Sequence, residues 1–195
     1  MLPRFVGGIL PAILLTSLLT ACGQVQTRAS VEANARAENQ SLFGLFQIAR
    51  IPRETVPFAE RHQPGTIVIK TSERRLYYVL GNGQAIRYGI GVGRDGFRWS
   101  GVETVSMKRE WPDWTPPAEM LKRRPDLPRH MDGGPENPLG ARAMYLGSSF
   151  YRIHGSNEEY TIGGADSSGC IRMTNSDVID LYNRVKVGTT VIVKM

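Results

Sequence analysis

The segment from Tyr151 to Met173, YRIHGSNEEYTIGGADSSGCIRM, gathers residue types that do covalent chemistry. A cysteine becomes a nucleophile when a base removes its proton, and histidine is the usual base because its ordinary pKa lies near neutrality. Cys170 and His154 supply that pair. Gly169 permits a tight backbone path into the cysteine, which makes the Gly169 and Cys170 amides candidates for an oxyanion hole. The layout suits acyl transfer. Arg172 follows, with a planar fork that fits a carboxylate or an amide carbonyl. If the run IRM is a short strand, alternation puts Cys170 and Arg172 on one face and predicts a negatively charged substrate.

Other chemistries find less support. Glu158, Glu159 and Asp166 could suggest the paired carboxylates of a glycosidase, but adjacent Glu residues on a loop are usually solvated. The three histidines at 62, 130 and 154 form no metal-ligand spacing, and His130 reads as a surface loop residue. No metal and no cofactor is expected. Gly89, Gly91 and Gly93 are not followed by a helix start or GK[ST], so they are not a phosphate loop. Recurring every second residue, they leave one strand face bare for the close approach of a backbone or a ligand.

The elements that must position these residues are mostly strands. TIVIKT (66–71) and LYYVL (76–80) are β-branched or aromatic runs, and Gly81-Asn82-Gly83 is a tight-turn signal before QAIRYGIGVG. This predicts a β-meander. A second group of strands is expected around 103–109, followed by WPDWTPP, whose Trp111 and Trp114 cap the core or line a groove. A short helix over 118–124 stops before Pro125. The loop 125–138 is long and rich in Pro and Gly, and loops of that size inside compact domains are often functional. ARAMYLG and FYRIHG read as further strands, with His154 ending the second. Thr174 and Asp177 resemble a capping box, and Val178, Leu181, Tyr182 and Val185 recur at helical spacing, so 176–184 is predicted as a helix. TTVIVKM returns as the last strand.

HGS followed at this distance by SSGCIRM resembles the catalytic signature of L,D-transpeptidases, the YkuD-type enzymes of bacterial cell-wall synthesis. NPLGARAMYLG (137–147) and WPDWTPP (111–117) look like segments of the Gram-negative branch. The resemblance covers Gly65 to about Val193. It implies a β-sandwich of mixed sheets with one or two short helices and a long loop over the groove. It further implies that Cys170 attacks a peptidoglycan stem tetrapeptide at diaminopimelate and that His154 acts as base and then acid. D-Ala leaves, and an amine accepts the acyl group, as a 3-3 cross-link or a lipoprotein anchor. The Gly155 carbonyl is the family analogue for orienting His154, with Ser156, Ser167 or Ser168 as side-chain alternatives. Arg172, Ser168, Ser167 and Trp114 are candidate substrate contacts. Many members carry His immediately before the Gly-Cys pair, where this chain has Ser168, so His154 is the only base candidate.

The 195 residues suffice for one domain with extensions. Residues 1–21 hold Arg4, an apolar run and then Leu19-Thr20-Ala21-Cys22, which looks like a lipobox with Cys22 as the lipidated residue. Gly23 is not the Asp that favours inner-membrane retention, so a periplasmic protein anchored in the outer membrane is expected. With Cys22 acylated, Cys170 has no disulfide partner in an oxidising compartment, which itself invites a catalytic explanation. Residues 22–63 read as the lipidated cysteine, a polar tether and an N-terminal extension, and 64–195 as the catalytic domain. The net charge of +6 comes from scattered Lys and Arg without a nucleic-acid-binding pattern, so no nucleic acid is expected, and a basic surface suits acidic stem peptides. The alternatives are a peptidoglycan-binding structural lipoprotein and a cysteine hydrolase of the same fold.

Overall fold

The computed structural model describes residues 51–195. The expected signal segment, the lipidation site Cys22 and most of the tether lie outside the described residues. The strands are β1 (Glu54–Pro57), β2 (Ile67–Lys70), β3 (Arg75–Gly81), β4 (Gln84–Gly89), β5 (Val92–Gly93), β6 (Gly101–Glu110), β7 (Arg142–Leu146), β8 (Arg152–His154), β9 (Ala165–Ser167), β10 (Ile171–Arg172) and β11 (Thr190–Lys194). Two α-helices join them, α1 (Ala118–Arg123) and α2 (Asn175–Arg184).

The meander of β2, β3 and β4 is antiparallel, and its second turn follows from its sequence. Gly81 pairs with Gln84 across Asn82-Gly83, both at positive φ (52° and 71°), the conformation that Asn-Gly tolerates and that matches strand twist. β2 is buried on both faces: Ile67 and Ile69 enter the main core, while Val68 joins Phe58, Tyr77, Val79 and Ala85 on the other side. The C-terminal β11 inserts beside β2 in parallel and pairs with the first half of β6 antiparallel. The second half of β6 pairs with β7, which leads through β8 to β10. β6 therefore belongs to both halves of one mixed sheet, ordered β1-β4-β3-β2-β11-β6-β7-β8-β10. β5 and β9 form a separate parallel pair. The mostly-β expectation with short helices holds.

Residues of the N-terminal extension ahead of 64 also pack on the sheet. β1 pairs with β4, Phe58 is buried, and a side chain at Gly89 would meet Ile51 Cβ at 2.7 Å. This edge strand is short and mostly exposed, so no apolar alternation announces it.

Helix α2 lies over the core with Val178 and Leu181 fully buried. Thr174 caps it, its Oγ1 accepting from the Asp177 N–H at 3.2 Å. The fully buried Tyr88 donates its hydroxyl to Asp180 Oδ2 at 2.6 Å, which fixes the helix to β4. Replacing Thr174 with Ala leaves an N-terminal amide of α2 uncapped, and urea unfolding is expected to show a loss of about 1 kcal/mol with an unchanged slope.

Candidate active site

Two rungs of parallel pairing, Ile171 beside Ile153 and Arg172 beside His154, set the site. Ile153 and Ile171 are buried in the core. Alternation therefore turns Arg152 and His154 on β8, and Cys170 and Arg172 on and just before β10, to the other face of the pair. Cys170 stands a diagonal step from His154, a separation of about 7–8 Å between backbones that side chains can bridge. On its other edge β10 is held by Gly91, whose N–H donates to Arg172 O at 2.8 Å while the Arg172 N–H donates back at 2.9 Å.

His154 is buried. Its Nδ1 donates to the Gly155 carbonyl at 2.6 Å when the proton sits on that nitrogen, which leaves Nε2 free to accept. Of the expected orienting groups, the structure therefore places the Gly155 carbonyl on the ring. Two of the three serines are engaged elsewhere: Ser156 Oγ accepts from the Glu158 N–H at 3.0 Å, and Ser167 Oγ donates to Cys170 O at 2.6 Å. Burial, then the nearby Arg172 and Arg152 charges, pull the His154 pKa down to about 4, against the carbonyls of Gly155 and Leu139.

The thiol of the half-buried Cys170 donates to the Phe150 carbonyl at 3.8 Å. Burial pushes its thiol up, opposed by the backbone N–H and guanidinium of Arg152 and by Arg172. Burial thus disfavours the charged form of both members of the pair. The approach to the cysteine is tightly fixed. Gly169 has φ of 105°, and a side chain there would meet the Tyr151 ring at 2.5 Å. Tyr151 stacks on Trp99 at 4.4 Å between centroids, and the Trp99 indole N–H donates to Gly169 O at 2.9 Å. The Gly169 N–H donates to Ser167 Oγ at 3.2 Å. That amide is occupied, contrary to its expected place in an oxyanion hole, because the Ser167 side chain folds back under the loop.

Arg172 is largely buried and binds Asp166 Oδ2 at 3.1 Å, so one arm of its fork braces β9. Trp114 is buried, and its backbone exchanges hydrogen bonds of 2.8 Å with Met131, which pins the 125–138 loop; Trp111 is the exposed tryptophan of the two. His130 lies at the surface beside Asp132. The alternate glycines are filled by protein: a side chain at Gly91 would meet Arg172 Nε at 3.3 Å and one at Gly93 the Phe97 carbonyl at 2.5 Å. Among the described residues no group of three His, Cys, Asp or Glu side chains converges to hold a metal ion.

Two residues with a bearing on the site escaped sequence reasoning. Asn175 accepts from the Ala141 N–H at 2.8 Å and donates to Ser156 O at 3.0 Å, locking the turn that aims the Gly155 carbonyl. Arg152 sits two residues before His154 on the same face, a relation that strand alternation contained.

A thiol and an imidazole presented on paired strands of a mixed β-sheet define the site. The chain belongs to the L,D-transpeptidase catalytic domain family (YkuD), whose model matches residues 64–193. It is 40% identical over 134 residues to a probable L,D-transpeptidase ErfK/SrfK of Escherichia coli K12, covering 64% of this chain and 42% of that protein. The chain thus spans less than half the length of that relative. A solved structure from Brucella melitensis, described as a probable carnitine operon oxidoreductase, is 48% identical with TM-score 0.50, covering 71% of this chain and 91% of that one. An L,D-transpeptidase from Mycobacterium smegmatis shares the fold at TM-score 0.54 with 16% identity, over 67% of this chain and 58% of that one.

The lowered pKa of His154 has a consequence for stability. Unfolded, the ring binds a proton near pH 6.5, and folded only near 4. Between those values the unfolded chain holds the extra proton, so stability falls as pH drops from 6.5 to 4 and levels off below. The loss attributable to His154 is about 3 kcal/mol at most. It is measured as the difference between wild type and His154→Gln in urea unfolding across that window.

Proposed function

We propose that this chain is a peptidoglycan L,D-transpeptidase working in the periplasm from a lipid anchor on Cys22. What supports the reading is that Cys170 and His154 stand a diagonal step apart on one face of the β8–β10 pair, the imidazole held by the Gly155 carbonyl, in a chain of the L,D-transpeptidase catalytic family. Nε2 of His154 takes the Cys170 proton as the sulfur attacks the carbonyl of diaminopimelate in the stem tetrapeptide. The Cys170 N–H faces the developing oxyanion, since that of Gly169 is engaged. The carbon–nitrogen bond to D-Ala breaks, His154 returns the proton to the leaving amine, and a thioester remains. An acceptor amine, from a neighbouring stem or a lipoprotein lysine, then displaces the sulfur. Water as acceptor makes the same site a hydrolase.

The basic balance of the chain suits stem peptides with free carboxylates. An oxidoreductase reading, taken from the description of the Brucella protein, gains nothing from the glycine run, whose faces are filled by Arg172, Phe97 and Ile51.

Incubation with disaccharide tetrapeptide is expected to release D-Ala and give cross-linked dimers by mass, and Cys170→Ala abolishes both. A carbapenem is expected to add covalently to wild type and not to Cys170→Ala. A folded wild type that gives neither product nor adduct is a binding lipoprotein instead. For the anchor, Cys22→Ala is expected to move the protein from the membrane fraction to the soluble fraction of cells expressing the full chain; a distribution equal to wild type refutes lipidation at that residue.

A further inference from the structure

The face shared by β8 and β10 carries two guanidinium groups, and they are not equivalent. Arg172 has a carboxylate, Asp166, at 3.1 Å. Arg152 pairs with no carboxylate among the described residues. It lies over the ring of Tyr145, its rung partner on β7, at 5.0 Å, and its Nε, like that of Arg172, is buried without a hydrogen-bond partner. A half-buried cation without a counter-ion is costly, and such an arrangement persists where an anion arrives in use. The register supplies that anion. Continuing the Ile171–Ile153 rung back one residue sets Cys170 beside Arg152, closer than the diagonal to His154.

We propose that Arg152 is the permanent cation that stabilises the Cys170 thiolate, leaving His154 to move the proton. The inference rests on Cys170 being the nucleophile of the proposed reaction. The division of labour follows from the environment of the imidazole. Buried and flanked by Arg152 and Arg172, His154 accepts a proton poorly at neutral pH, so an imidazolium is a weak source of lasting positive charge beside the sulfur. A guanidinium keeps its charge throughout the working range, and that of Arg152 lies over the Tyr145 ring of β7. Both the backbone N–H and the guanidinium of Arg152 oppose the rise that burial imposes on the thiol. The other charged group acting on the sulfur is Arg172 from β10, offset by Asp166 of β9, and His154 of β8 and Tyr145 of β7 share the face.

The test is alkylation by iodoacetamide, a neutral reagent that needs no stem peptide. The sulfur displaces iodide, a sulfur–carbon bond forms, and the thiol proton passes to base. Rates are read at Cys170 by peptide mass, separately from Cys22, between pH 5 and 10 on the full chain. Arg152→Met is expected to raise the midpoint of the pH profile by about one unit, with the high-pH plateau within about twofold of wild type. Arg152→Lys is expected to restore most of the shift, and Arg152→Gln serves as a second neutral variant should Met fail to fold. A midpoint unmoved in a folded neutral variant overturns the proposal. If, in addition, the KM for tetrapeptide rises, Arg152 binds a substrate carboxylate instead of the thiolate. An Arg152-dependent midpoint without any D-Ala release upholds the thiolate role and sinks the transpeptidase reading, so the two fail separately.

Discussion

The pairing of β8 with β10 is two rungs long, yet it sets the cysteine and the histidine on one face, a diagonal step apart. A parallel pair cannot close through a tight turn, so the chain between them must cross over. Here it does so through a 3-10 turn at Glu159–Thr161 and through β9, which finds its own partner in β5. Two rungs are too few to hold themselves. β10 is clamped from its free edge by Gly91, the Met173 N–H donates to His154 O at 2.9 Å just beyond the second rung, and Ile153 and Ile171 anchor the pair in the core.

Close approach of backbones is what makes that clamp work. A methyl group at Gly140 or Gly155 would lie 2.3 Å from Asn175 Oδ1, and one at Gly93 would lie 3.2 Å from Gly169 Cα. Interiors packed this tightly transmit small displacements, so the loop ahead of Cys170, the turn after His154 and the start of α2 behave as one unit. Asn175 is its joint. Its side chain ties Ala141 to Ser156, and its own N–H is received by Glu159 Oε1 at 2.6 Å.

The legible part of the sequence was the part whose signal is local. Asn82-Gly83 needs only its own backbone to make a turn, and the apolar face of α2 is periodic over ten residues. Cys170, His154 and Arg172 stand within one short stretch, so alternation could place two of them on one face before any fold was known. The rest depended on register between distant segments. Nothing in Arg152 itself says that its neighbour across the sheet is the residue before Ile171. Likewise only the family resemblance put the Gly155 carbonyl ahead of three serines for the imidazole, because the turn geometry that sets this carbonyl on Nδ1 is not local to the motif. The Gly169 amide looked available because the rotamer that occupies it belongs to Ser167. β1 gave no sign because an exposed edge strand needs no apolar pattern.

Electrostatics at the site also follow from burial rather than from residue type. Low dielectric disfavours both charged forms, so the thiol rises and the imidazole falls, and a resting thiolate–imidazolium pair is penalised twice. A second imidazole at position 168 would share that penalty if it were equally enclosed, whereas Ser168 carries no charge at all. What remains to favour the thiolate is charge that burial cannot remove. Two guanidiniums meet that condition, and because Asp166 already compensates one of them, the field at the sulfur is set mainly by the other. The proton is then carried by a group poised to be neutral, and the charge by a group that never is.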